Sequence, residues 1–142
     1  MHELIRKSFF LKFLLFTIVI GNIYVGLQCL FHLLQLHFLD EYLRWYPFKA
    51  SGPWHFLLLV GTILTLMGAY RIYRNGREGF KIYVLGKTLV FLGYIVLMVL
   101  EYQISALPFP WVLIPILLGI EAIYPMVLYL SLRQPKNRRV FK

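Results

Sequence analysis

From Phe9 to Leu132 the chain is a succession of apolar stretches, about 9–38, 54–73, 82–102 and 111–132, parted only by short polar connections. Each stretch has roughly 20 residues or more, enough at about 1.5 Å per residue to cross a hydrocarbon core of about 30 Å. A helix closes its backbone hydrogen bonds within itself, which lipid demands. The expected fold is therefore an all-α membrane protein, four transmembrane helices in an up-down bundle that use the whole chain, 1–142, as one domain. Composition agrees: 60% of 142 residues are hydrophobic, more than a soluble domain of this size hides in its interior.

The net charge of +9 is explained by where the cations lie. Arg6, Lys7 and Lys12 precede or open the first stretch; Arg71, Arg74, Arg77 and Lys81 lie between the second and third; Arg133, Lys136, Arg138, Arg139 and Lys142 follow the fourth. After four crossings all of these fall on one side, against Arg44 and Lys49 on the other, so the positive-inside rule predicts cytoplasmic N and C termini in a bacterial inner membrane. Trp45, Trp54 and Trp111 fall at the outer boundaries, where an indole ring sits well at headgroup level. A nucleic-acid partner is not expected, because the cations sit in short connections and not on a folded basic face. The expected partners are the lipid bilayer and other transmembrane helices, in a homo-oligomer or a larger membrane complex.

The first stretch is longer than a bilayer requires, and Gln28, His32 and Gln35 share one face of its outer part. Residues 39–53 read as an outer segment lying on the membrane surface, ended by the turn Ser51-Gly52-Pro53. Gly61, Thr65 and Gly68 mark a small-residue face, as do Gly86 and Gly93 one heptad apart, and such faces let helices pack closely in lipid. Asn75-Gly76 makes a tight turn, Pro108 and Pro110 break the chain before the fourth helix, and 133–142 is a basic tail. Cys29 is the only cysteine, so paired-thiol redox chemistry is excluded. Met1 to Leu15 has the basic-then-apolar order of a signal peptide, but the apolar run continues to Leu39, so an uncleaved first helix is expected.

Glu121 stands near the middle of the fourth stretch, where a carboxylate needs a partner, and Pro125 has no N–H to offer its carbonyl. Asn22, Thr62, Tyr94 and Glu121 come out at similar depth, a candidate polar layer with one residue from each helix. Lys87, about 9 Å inside the cytoplasmic boundary, has two routes. Extended to the headgroups it snorkels, leaving Glu121 a neutral carboxyl hydrogen-bonded to Tyr94, Asn22 or a carbonyl; turned inward it forms an ion pair. The sequence favours the neutral carboxyl, as internal glue for a helix bundle.

A second polar group, His32, His37, His55 and Glu101 with Asp40 and Glu41, lies toward the outer side. The five-residue spacing of His32 and His37 points them about 140° apart, which defeats a helical metal clamp. Interfacial decoration is the expected role, and no metal or cofactor is expected. Motifs of hydrolases, kinases, nucleotide-binding folds and zinc proteases are absent, so enzyme function is disfavoured. The leading reading is a structural or accessory membrane protein acting through helix packing. Behind it come a proton- or cation-coupled transporter or channel subunit using Glu121 and Lys87, then a lipid- or quinone-binding enzyme.

Overall fold

A computed structural model describes residues 8–34, 53–74, 76, 78–106, 108, 110–134 and 137. They form four α-helices: α1 Phe9–Leu33, α2 Trp54–Tyr73, α3 Gly79–Ile104 and α4 Leu113–Arg133. All four are long and apolar enough to cross a membrane. The outer segment expected at 39–53 lies outside the described residues apart from Pro53, which precedes α2, as does the end of the first stretch beyond Leu34.

Ser8 starts α1 by accepting the Leu11 N–H on its Oγ at 3.2 Å, satisfying one of the donors a helix leaves bare. At the other end of the chain, α4 runs unbroken through Pro125. The third helix differs from the expected 82–102, beginning at Gly79 and ending at Ile104. Gly79, ahead of the expected start at 82, lies in the helix against α2: a Cβ on it would stand 2.6 Å from the Ile72 nitrogen. Beyond Ser105 the chain leaves α3 through Ala106, whose φ of 53° is the left-handed conformation that ends many helices.

The helices meet unequally. α2 and α3 share by far the broadest contact, α1 lies along α2, and α4 touches α1 and α3 lightly. On α2 the residues Leu58, Gly61, Thr65, Gly68 and Ile72 alternate steps of three and four, the spacing of a helix seam. Gly79, Tyr83, Gly86, Val90, Gly93 and Leu97 do the same on α3, and all eleven are buried. The pairing is antiparallel: Leu58 faces Gly93, Gly61 faces Val90 and Gly86, Gly68 faces Tyr83, and Ile72 faces Gly79. With no side chain at the glycines, backbone packs on backbone, which in lipid supplies the dispersion that hydrophobic drive does not.

Two apolar clusters result. One joins Leu11, Leu14, Leu15 and Ile18 of α1 to Ala69, Ile72, Tyr83 and Leu128, so that early α1, late α2, early α3 and late α4 come together. The other joins Cys29, Leu58, Val90 and Leu97, packed with Tyr94 and Val25. Asn22, Thr62, Thr65 and Lys87 fall between the two on their respective helices.

Candidate functional site

Lys87 adjoins the α2-facing seam of α3 and turns toward α4, where its Nζ lies 2.7 Å from Oε2 of Glu121. Of the two routes open to Lys87, the inward one is taken: the lysine does not snorkel, and the hydrogen-bond partner of Glu121 is Lys87. The ammonium makes a charge-assisted bond at the short end of the usual range, stronger than a bond between neutral groups. Moving charge out of water is costly, and mutual attraction offsets that cost only when the geometry is close and direct, as here. The side chains keep 17% and 29% of their surface uncovered by protein. The pair therefore sits on the α3–α4 seam and not in a sealed core. Pro125, four residues on, withholds the donor that would otherwise meet the Glu121 carbonyl, so the backbone at this position is polar too.

Asn22 and Thr62, two other members of the expected layer, make no hydrogen bond to the pair. Asn22 is buried and spends its Nδ2 on the Ile18 carbonyl at 2.7 Å, within its own helix. Thr62 is buried against Gly26, and its Oγ1 has no hydrogen-bond partner among the described residues. Thr65, one turn along, donates to the Gly61 carbonyl at 2.8 Å. Tyr94 packs on the Cys29–Leu58–Val90–Leu97 cluster, within electrostatic reach of Glu121. Tyr83, which its spacing in the sequence puts on the same α3 face as Lys87 and Tyr94, lies in the cluster with Leu11 and Leu128, also within reach of Glu121 and of Tyr124, with its buried hydroxyl unpartnered among the described residues.

Of the outer group, His37 and the His32 side chain lie outside the described residues. His55 is fully buried in the first turn of α2, and Glu101 is half-buried late in α3. Among the described residues no three His, Cys, Asp or Glu side chains converge as metal ligands would.

Two features had no counterpart in the sequence reading. Asn137, just beyond α4, is fully buried. Its Nδ2 donates to the Ser131 carbonyl at 2.6 Å and to Ser8 Oγ at 3.2 Å, and its Oδ1 accepts the Ser8 N–H at 3.0 Å. One side chain thus clasps the start of α1 to the end of α4. The pairing spans 129 positions, and no local pattern encodes it. The second feature is a groove of about 490 Å³ lined by Phe80, Tyr129, Leu132 and Arg133. The four-residue step from Tyr129 to Arg133, which stacks a cation on a ring, was its only local sign.

Four apolar helices of spanning length define the class: a small integral membrane protein. Family models, curated proteins and solved structures yield no match to the chain.

Proposed function

We propose that this chain is a structural or accessory membrane protein that works by packing α4 against another transmembrane helix, in a second copy or a larger membrane complex. The observation that carries the reading is the contrast between how firmly α4 is positioned and how little of it is covered. Only Leu128 and Ser131 of α4 are buried, against eight residues of α2. Yet α4 is held by the Lys87–Glu121 pair and by the Asn137 clasp, both directional contacts. Gly119 is exposed on this helix, and a Cβ added there would meet nothing within 4 Å. Lipid has no use for such a notch, whereas a neighbouring helix approaches closest where side chains are smallest. An up-down crossing with both termini on the cytoplasmic side of a bacterial inner membrane is supported by the cation distribution and by the contacts joining early α1 to late α4.

The test is the assembly state of purified protein in lipid nanodiscs, with Gly119→Ile as the probe. We expect association of the wild type with itself or with a co-purified membrane protein, lost on filling the notch without loss of stability. A wild type that remains a lone protomer and brings no partner through mild solubilisation refutes the reading.

A second reading, proton or cation coupling, draws on one observation: an ion pair flanked along the helices by two apolar clusters. Intramembrane charges are rare and often mark ion pathways. Wild-type protein in sealed liposomes that passes neither protons nor monovalent cations under an imposed gradient refutes it.

A further inference from the structure

The groove at the junction of early α3 and late α4 combines apolar walls with one cation among its described lining residues. Phe80 and Tyr129 bring their ring centroids to 5.7 Å, tilted 37° to one another, with Leu132 beside them. The Arg133 guanidinium lies 4.6 Å from the centre of the Tyr129 ring. Stacking fixes the plane of the guanidinium and leaves its N–H edges for other partners. Glu121 is engaged with Lys87, and Arg133 has no carboxylate partner among the described residues. Arg133 is also the last residue of α4, the level at which a spanning helix reaches the headgroups. The occupant such a groove selects carries an anion at one end and hydrocarbon at the other. A free phosphate would leave the aromatic walls unused, and an apolar peptide would leave the cation unused.

We propose that this groove binds an anionic glycerophospholipid from the surrounding bilayer, its phosphate on Arg133 and an acyl chain across Phe80, Tyr129 and Leu132. The proposal rests on the membrane placement of the four helices and not on the accessory role of α4. Arg74 supplies the comparison. It lies 5.9 Å from the Tyr70 ring centre and donates to the Tyr70 hydroxyl at 3.2 Å, so it repeats the arginine-on-tyrosine arrangement outside this groove. A general attraction of basic residues to anionic lipid would use both arginines alike; a built site uses Arg133 alone.

Native mass spectrometry of the protein released from micelles containing equal phosphatidylglycerol and phosphatidylcholine reads this directly. The wild type should retain phosphatidylglycerol preferentially. Arg133→Gln should reduce that preference about fivefold, the scale of one cation near an anionic surface, while Arg74→Gln leaves it intact. Undiminished preference in Arg133→Gln, or an equal loss in Arg74→Gln, overturns the proposal. A second measurement needs no variant. Photoactivatable phosphatidylglycerol, carrying its reactive group in the acyl chain, should label wild-type Phe80, Tyr129 or Leu132, and labelling confined to other residues also overturns it. Neither result bears on the assembly measured through Gly119→Ile.

Discussion

Replacing Gly86 with alanine adds one methyl group where α2 and α3 lie closest. That Cβ would stand 2.6 Å from Thr65 Oγ1 and 2.7 Å from the Gly61 carbonyl oxygen, and would press on the Thr65 nitrogen. Two of these three atoms are backbone, and the third is tied to the Gly61 carbonyl by a 2.8 Å hydrogen bond, so none swings aside. To bring the closest side-chain contact to an ordinary 3.4 Å the two helices must part locally by about 0.8 Å. A gap of that size forfeits roughly a quarter to a half of each dispersion contact it opens, and overpacking of this kind costs about 1–3 kcal/mol. Alanine returns about 1 kcal/mol through its better helix propensity. The expected net loss, taking the upper part of the overpacking range, is about 1–2 kcal/mol. Gly21→Ala is the internal control, because a Cβ at Gly21 meets nothing within 4 Å. It should stabilise by about 0.5–1 kcal/mol. The same chemical change is thus expected to act with opposite sign at two helical glycines. Equilibrium unfolding in mixed micelles, followed by tryptophan fluorescence across a rising fraction of denaturing detergent, measures both. Midpoints that move together would refute the backbone-on-backbone packing of α2 and α3.

Asn137→Ala removes the side chain that joins Ser8 to Ser131 and leaves a buried carbonyl and an N–H without their partner. The expected cost is about 1–3 kcal/mol, with faster hydrogen exchange confined to the first turn of α1 and the last of α4; exchange unchanged at both ends would count against the clasp. For the ion pair, Lys87→Met and Glu121→Gln should each destabilise by about 1–3 kcal/mol, and the double variant should cost no more than the worse single one, a coupling of about 1–2 kcal/mol. Additive losses in that cycle would show that the two side chains do not act on one another.

Some of this architecture is written in local pattern. The four helices are legible because an apolar run of spanning length has few alternatives in lipid. Gly61, Thr65 and Gly68, and Gly86 with Gly93, stand out because small residues at seam spacing have few other uses there. Which seam meets which is a different matter. In a soluble bundle the apolar face points to its partner, but in a bilayer every face is apolar, so helix periodicity carries little direction. Gly79 illustrates the loss: the apolar run points to a start near 82, and contact with Ile72 shows α3 beginning three residues earlier.

The route of Lys87 stayed open for a related reason. Seen along one helix, a lysine two turns inside the boundary gains as much from snorkelling as from pairing, and the choice depends on whether a carboxylate stands within reach. The neighbour is supplied by α4, which lies far along the chain and has little apolar contact to hold it. What positions α4 is polar: the Asn137 clasp at its end and the charge pair near its middle. This division of labour follows from the solvent. Between α2 and α3 close packing suffices, because glycines bring backbone to backbone and many weak contacts accumulate. For α4, which leaves most of its surface uncovered, dispersion against its own bundle is small, and lipid competes for it on equal terms. Two strong directional contacts then set both its register and its rotation without burying its apolar face. A helix held in that manner is oriented and still uncovered. On this argument Glu121 acts in an oily segment as a register pin, through its 2.7 Å bond to Lys87.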